Sequence, residues 1–358
     1  MQTVRKKEYT IRRRLKRLWD NGVNALSDRW QRWMEHFPPK FSVQGTVITK
    51  CRRSGRICVI PEWATGIGES AFEDCRNLTE ITIPKGVTFI GNSAFGRCRK
   101  LTCLDLPDGV TSIGEWAFAC CDSLCRLTLP NSVQSIGFRA FYDCKSLTEI
   151  TIPGNVKKIG FSLFFCSKLT RITILPGVTT IEPLIDFCPE LVRVDLPDTV
   201  HTIADRTFRG CRNLNEITIP PGAIIGERTF EGAGKVAAAP KNPFLSSDET
   251  GCLFDRDRKT LIHVPAGFSG HYVIPDGVAI IGDGAFYCCG NLTGVTIPDS
   301  VTNIGEEAFA GCDSLTEVTV PAGVATIGGR AFPKQTKLNI LGRSTKFGNY
   351  IPISITEL

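Results

Sequence analysis

Cysteine and histidine are the residue types in this chain that could most readily carry chemistry, as nucleophiles, proton carriers or metal ligands. The sequence contains sixteen cysteines but only four histidines. It has no C-x-x-C motif, and its vicinal cysteine pairs are poorly spaced for a zinc site. No histidine has an evident orienting partner for nucleophilic catalysis; the four are His36, His201, His263 and His271. We therefore predict no catalytic residue, no metal and no cofactor, and expect that the chain is not an enzyme.

Nine of the cysteines recur once in each unit of an internal repeat. They are Cys75, Cys98, Cys121, Cys144, Cys166, Cys188, Cys211, Cys289 and Cys312. Cysteines stacked in this way would have Cα atoms about 5 Å apart, a distance that a disulfide can span. Their parallel Cα–Cβ bonds argue against pairing, however, and a position repeated once per coil is typical of a core column. We predict free, buried thiols, which fit a reducing compartment.

The repeat itself is clearest from Leu78 to Lys100, a stretch of 23 residues. The pattern restarts at steps of 22 or 23 residues, at Leu101, Leu124, Leu147, Leu169, Leu191 and Leu214. Self-similarity with this period is typical of a solenoid, in which stacked coils bury together the apolar side chains that one coil cannot bury alone. The beginning of each unit alternates apolar and polar residues as a short strand does, and a proline then ends the strand.

The consensus L-x-x-I-x-I-P-x-x-V-x-x-I-G-x-x-A-F-x-x-C resembles that of the BspA-like branch of bacterial leucine-rich repeat proteins. The resemblance covers roughly Ile57 to Leu338. It implies a curved solenoid with a parallel sheet on its concave face, a binding or adhesion role often displayed on a cell surface, and no enzyme chemistry. We therefore predict a β-rich, right-handed leucine-rich repeat solenoid with a parallel sheet, preceded by a helical N-terminal segment.

Residues 1–40 differ in character from the rest of the chain. The formal charge of the whole chain is +6, but this segment alone carries +7, so the remainder is close to neutral. Apolar residues recur in it at steps of three or four, which predicts an amphipathic helix. Three interpretations remain open for this segment: a cap over the first coil, a helix on an anionic membrane, and an arm that contacts nucleic acid or an acidic protein.

The rest of the chain divides into a solenoid over residues 41–340 and a C-terminal cap over residues 341–358. The period breaks over residues 235–271, where two short strands around a charged turn predict a hairpin. The sequence has no run of 18 apolar residues and shows no secretory signal. We therefore expect a cytoplasmic protein; the alternative is a cell-surface or secreted protein, as in many members of the family.

Outward-facing strand positions are the candidate binding residues, because the residues on either side of the central apolar one must point away from the core. The candidates are Glu80, Thr82, Asp105, Arg126, Thr128, Glu149, Arg171, Thr173, Arg193 and Asp195. Among them, three arginines cluster in the middle of the predicted sheet around Glu149. We predict a monomeric scaffold that binds an unidentified protein through this face and takes no small-molecule substrate. The alternative is association with an anionic membrane or nucleic acid through residues 1–40.

Overall fold

The chain forms a β-solenoid, as the repeat predicts. The structure, a computed structural model, describes residues 41–51, 55–159, 163–183, 185–186, 188–341, 345–348 and 355–357. The helical segment predicted over residues 1–40, with its three interpretations, lies outside the described residues. Within the described ranges, no helix has the length and apolar character that crossing a bilayer requires.

One row of parallel strands, the front sheet, takes one strand from each coil, and among the described residues these strands pair in five groups. Identical repeat positions face each other across it, since Ile150 pairs with Ile172 and Thr151 with Thr173. The sequence period therefore sets the strand register directly. The front strands are Ile57–Val59, Glu80–Thr82, Cys103–Asp105, Arg126–Thr128, Glu149–Ile152, Arg171–Ile174, Arg193–Asp195, Glu216–Ile219, Ala237–Ala238, Ser269–Val273, Asn291–Thr296, Glu317–Val320, Lys337–Ile340 and Ile355–Glu357.

A second ladder, the side sheet, is built from the V-x-x-I-G part of each repeat. Its strands are Val47–Cys51, Gly66–Ile67, Phe89–Ile90, Ser112–Ile113, Ser135–Ile136, Lys158–Ile159, Thr180–Ile181, Thr202–Ile203, Ile224–Ile225, Thr260–His263, Ile280–Ile281, Asn303–Ile304, Thr326–Ile327 and Lys346–Phe347. An antiparallel strand, Phe41–Gln44, covers its first edge. The strands at residues 346–347 and 355–357 extend the two ladders to the C-terminal end, where the sequence predicts a closing cap.

The back of each regular coil is a tight turn around the Ala-Phe pair, with a left-handed residue on each side. In one coil these residues are Trp116, with φ of 55°, and Cys120, with φ of 56°. A non-glycine residue in this conformation costs on the order of 1–2 kcal/mol. Hydrogen bonds between coils oppose that cost: the Ser93 and Phe95 N–H groups donate to Glu115 and Ala117, at 2.8 and 2.7 Å.

Two coils that are one residue short depart from this turn. The back of the first is the short strand Leu163–Phe164, which pairs in parallel with Ile185–Asp186 of the next coil. That strand pairs in turn with Phe208–Arg209. Removing one residue leaves too little chain for the double left-handed turn, so an extended segment replaces it.

The core is a stack of identical side chains behind the front sheet. The rings of Phe72, Phe95, Phe118 and Phe141 are fully buried and stack at centroid distances of 5.1, 5.4 and 5.8 Å. The ladder cysteines lie beside them, and the Cys121 thiol donates to the Phe95 carbonyl oxygen at 3.3 Å. Burial raises the pKa of the Cys121 thiol. All sixteen cysteines, each within the described residues, are free, and the nine ladder cysteines are buried as predicted.

The irregular unit interrupts both sheets. The hairpin predicted there is present, with Leu253–Asp255 antiparallel to Thr260–His263, and Leu245–Ser247 adds a third strand. The unit divides the buried apolar side chains into two clusters, one ending at Leu253 and the other beginning at Cys252.

Polar groups at the back of the solenoid join the coils on either side of this interruption. Arg228 donates hydrogen bonds to the fully buried carboxylate of Glu231 and to Glu307, which lies 79 residues further along the chain. Burial alone would lower the pKa of Arg228, but these hydrogen bonds outweigh burial and raise it. His263 is also buried here, with Nε2 2.8 Å from the Gly234 carbonyl oxygen.

Replacing Phe118 with alanine should lower the free energy of unfolding by about 3–5 kcal/mol, the range for removing a buried ring. Both ring neighbours lose a stacking partner, so adjacent coils share the damage. Urea denaturation measures the change. Phe244→Ala is the matched control, because that ring is 51% exposed and its removal should cost less than about 0.5 kcal/mol. Equal stability of both variants would contradict the stacking.

A thiol-specific reagent should separate the cysteines by burial. In the folded protein the exposed thiols of Cys103 and Cys125 should react first, and the ladder thiols should react only after denaturation. The total in denaturant should then reach sixteen. Replacing both exposed cysteines with serine should remove the early phase. A total well below sixteen in denaturant would reveal disulfides and disprove the free ladder.

The stability of the protein should fall in mild acid because of His263. Burial lowers the pKa of His263 to about 4, whereas an unfolded histidine has a pKa near 6.5. Between these values the unfolded chain binds more protons, so the free energy of unfolding should drop as the pH falls from 6.5 towards 4, by about 3 kcal/mol. His263→Gln retains an N–H donor but does not titrate, so its stability should fall less over this range. Identical pH profiles for both proteins would contradict the assignment.

Candidate binding face

The outward side chains of the front sheet form the front face, and all ten residues predicted from the sequence lie on it. Eight of them are exposed, while Thr173 and Asp195 are half-buried. The N-terminal end of this face is apolar, since Ile57 is 37% and Val59 51% exposed at the positions that precede Glu80 and Thr82. The two apolar residues were not among the predicted residues; the structure instead buries their neighbours Cys58 and Ile60.

Asp105 organises the first group of charges on the front face. Its carboxylate accepts hydrogen bonds from the Thr128 hydroxyl at 2.7 Å and from Arg126 Nη2 at 2.8 Å. The bond from Thr128 is the largest influence that lowers the pKa of Asp105; burial opposes it, and Arg126 adds to it. Three predicted residues are therefore brought together, but the guanidinium of Arg126 is already paired within the chain.

Asp195 organises the second and larger group. Arg171 donates to its Oδ2 through Nε at 3.0 Å and Nη2 at 2.7 Å, and Arg193 Nε donates to Oδ1 at 2.7 Å. Arg193 Nη1 also donates to Glu216 at 3.0 Å. Burial of Asp195 disfavours its charged form, yet the two arginines outweigh this and lower its pKa. We call these four residues the front charge network.

Glu149 does not join either group, although it pairs directly with Arg171 in the strand register. The Arg171 side chain instead reaches the following coil, where Asp195 accepts two bonds from it. Among the described residues, neither the Glu149 nor the Glu80 carboxylate has a hydrogen-bond or ion-pair partner. The arginines therefore lie on strands next to that of Glu149, as predicted, but their side chains do not contact it.

A depression of about 370 Å³ opens beside the front charge network, where the irregular unit ends the strand ladder. Its lining includes Arg193, Asp195, Glu216, Thr218 and Ala237. Glu216 and Thr218 were recognisable as outward positions of the repeat but were not among the ten predicted residues. Ala237 belongs to the irregular unit, where no periodic signal marks which residue will face outward.

Among the described residues, the front face presents charged and hydroxyl groups that suit polar recognition. His271 Nε2 lies 2.7 Å from the Thr296 hydroxyl on the exposed surface, and His263 is buried against a backbone carbonyl. In the part of the chain that the structure describes, no group of three or more metal-ligating side chains could hold an ion.

Solved structures of two bacterial leucine-rich repeat proteins are similar to this chain. A leucine-rich repeat protein from Bacteroides ovatus is 28% identical, with a TM-score of 0.60, over 86% of this chain and 88% of that one. A leucine-rich cell surface protein from Faecalibacterium prausnitzii is 24% identical, with a TM-score of 0.59, over 88% of this chain and 96% of that one. The search of curated proteins found no match.

The repeat pattern itself gives the family. The family model for BspA type leucine-rich repeat regions matches residues 65–185, 184–239 and 270–351, in six copies. These ranges include most of the coils described above and leave out most of the irregular unit. The chain therefore belongs to the BspA-type leucine-rich repeat family.

Proposed function

We propose that this protein is a binding scaffold that recognises another protein through its front face. The observation that carries the proposal is the front charge network beside the depression at the irregular unit. Arginine is enriched among the residues that dominate protein interfaces, and Arg171 and Arg193 have side chains that are each 47% exposed. A solenoid holds such groups about 4.8 Å apart from coil to coil, on a rigid and extended surface.

The charge of the front face favours a partner with basic side chains. Arg126, Arg171 and Arg193 are each paired with an acidic residue of the chain itself. The carboxylates of Glu80 and Glu149, in contrast, have no hydrogen-bond or ion-pair partner among the described residues. A partner that places lysine or arginine opposite these carboxylates gains ion pairs without breaking one that already exists. The apolar side chains of Ile57 and Val59 add contact area at one end of the face.

The compartment forms part of the proposal. The cytoplasmic location expected from the sequence has no support in the comparisons, whereas the similar protein from Faecalibacterium prausnitzii is described as a cell surface protein. We therefore propose the alternative, display at a cell surface. Free ladder thiols are compatible with that location, because burial shields them from oxidants and raises the pKa of Cys121 and Cys144.

Peptides selected from a random 12-residue display library on the full chain test the proposal. We expect the selected peptides to be basic, with affinity that weakens as salt increases. Glu80→Thr and Glu149→Thr each replace a front-face carboxylate with the residue that dominates the neighbouring column of the face, so the fold should tolerate them. Each should weaken binding at least about tenfold, or 1.4 kcal/mol.

Arg76→Ala is the matched control, because the Arg76 side chain is 73% exposed and lies off the front face, in the turn that follows the back of its coil. It should leave peptide affinity unchanged. Selected peptides that bind the front-face variants as tightly as the unmodified chain would show that the front face is not the docking surface. Failure to select any peptide that binds the folded chain would also count against the proposal.

A further inference from the structure

The back of the solenoid carries a second concave feature, separate from the front face. We call it the back notch: a depression of about 350 Å³ lined by Glu73, Ser93, Gly96, Arg97, Trp116 and Ala119, with Cys120 at its edge. The notch spans three successive coils, because the Phe72, Phe95 and Phe118 turns each contribute residues to its lining.

Small side chains at one repeat position create the notch. The residue that directly follows the ladder phenylalanine is Gly96 in one coil and Ala119 in the next. The same position holds Glu73 in the preceding coil and Tyr142 in the following coil. Two small residues between two large ones leave a short trough along the outer surface of the turns, and Glu73 lines it together with the two small residues.

Trp116 forms one wall of this trough, and one face of its indole ring is already covered. The guanidinium carbon of Arg139 lies 5.0 Å from the ring centroid. The rings of Phe138 and Tyr142 lie at 5.9 and 5.4 Å. All three covering residues belong to the following coil. The preceding coil has Ser93 at the position of Trp116, so the opposite face of the indole opens on the notch.

The rim of the notch combines hydrogen-bond donors and acceptors with no net charge. Arg97 and Glu73 form a loose ion pair, with 3.7 Å between Nη1 and Oε1, and their side chains are 62% and 37% exposed. Among the described residues, neither the Ser93 hydroxyl nor the Trp116 indole N–H has a hydrogen-bond partner. A ligand in the notch therefore meets an aromatic platform, at least two donors, a carboxylate acceptor and a hydroxyl.

A neutral sugar ring fits this combination better than the other ligands that stack on tryptophan. The face of an indole carries partial negative charge, so it attracts the C–H groups on the apolar face of a pyranose. Neighbouring sugar hydroxyls both donate and accept, so one ring satisfies Arg97 and Glu73 together. A nucleotide requires excess positive charge for its phosphate, and an apolar peptide side chain would leave the ion pair unsatisfied.

We propose that the back notch is a carbohydrate site that takes a neutral hexopyranose, stacked on the open face of Trp116 and hydrogen-bonded to Arg97 and Glu73. Arg139 acts as a positioning residue, because its guanidinium holds the indole upright from the side opposite to the ligand. The site is independent of the front face and does not require the protein-binding role proposed above.

The test uses the full chain and a panel of methyl glycosides of common neutral hexoses and N-acetylhexosamines. Saturation-transfer NMR should show magnetisation passing from the protein to the C–H groups of at least one glycoside, most strongly on one ring face. Titration of that glycoside should change the fluorescence of Trp116.

Two variants with substitutions taken from neighbouring coils make the test specific. Trp116→Ser installs the residue found at this position in the two preceding coils, Ser70 and Ser93, and should weaken binding at least tenfold. Ala119→Tyr installs the residue of the following coil, fills the notch and should block binding while Trp116 remains. Trp63→Ser is the control, because Trp63 is 43% exposed at a distance from the notch; binding should not change.

Three outcomes would overturn the proposal. The first is that no glycoside of the panel binds the unmodified chain. The second is that a glycoside binds with the same affinity to Trp116→Ser or Ala119→Tyr. The third is that Glu149→Thr on the front face, and not the notch variants, weakens glycoside binding. The peptide experiment on the front face remains informative in each case, since its variants leave the back notch intact.

Discussion

Each coil of this protein depends on the coils stacked above and below it. A turn of 22 or 23 residues cannot enclose its own apolar side chains, so they are buried only when equivalent residues of neighbouring coils cover them. The stacking is in register, with Ile150 opposite Ile172 and phenylalanine rings 5.1–5.8 Å apart. Backbone groups follow the same rule, since Phe95 N donates to Ala117 O at 2.7 Å. Each face of the solenoid therefore consists of columns, in which every coil contributes the residue at the same position of the repeat.

This dependence separates the residues that build the fold from those that are available for function. At the back of the coils, stacking imposes a left-handed conformation on Ser93, Trp116 and Arg139 alike, with φ between 51° and 55°. Their side chains lie outside the phenylalanine core, so stacking fixes the backbone there but not the residue type. The outward positions of the front strands have the same freedom. Both candidate sites therefore arise from substitutions that leave the core stack unchanged.

The irregular unit shows what happens where in-register stacking is interrupted. Both sheets stop, the apolar core divides in two, and contact continues at the back through Arg228, Glu231 and His263. A buried ion pair tolerates the loss of neither partner, because the remaining charge would be left unpaired away from water. The contact across the irregular unit is therefore polar and specific, whereas the contacts in the rest of the stack are apolar and repetitive. On the front face the same interruption opens the depression beside the charge network.

The sequence by itself determined the solenoid, the strand register, the buried thiols and the hairpin of the irregular unit. It could do so because each core residue contacts the same position one period later, so that a local pattern such as Leu78, Ile81 and Ile83 specifies the long-range contacts as well. It also placed the ten predicted residues on one face.

Only the tertiary structure decided how these residues pair: Arg171 binds Asp195 of the next coil and leaves the Glu149 carboxylate unpaired. Long side chains can reach more than one neighbour, and the repeat does not select among them. The contact between Arg228 and Glu307 and the depression at Ala237 depend on the size of a non-periodic insertion. The open face of Trp116 depends on Gly96 and Ala119. These small residues belong to successive coils and become neighbours only when the coils are stacked.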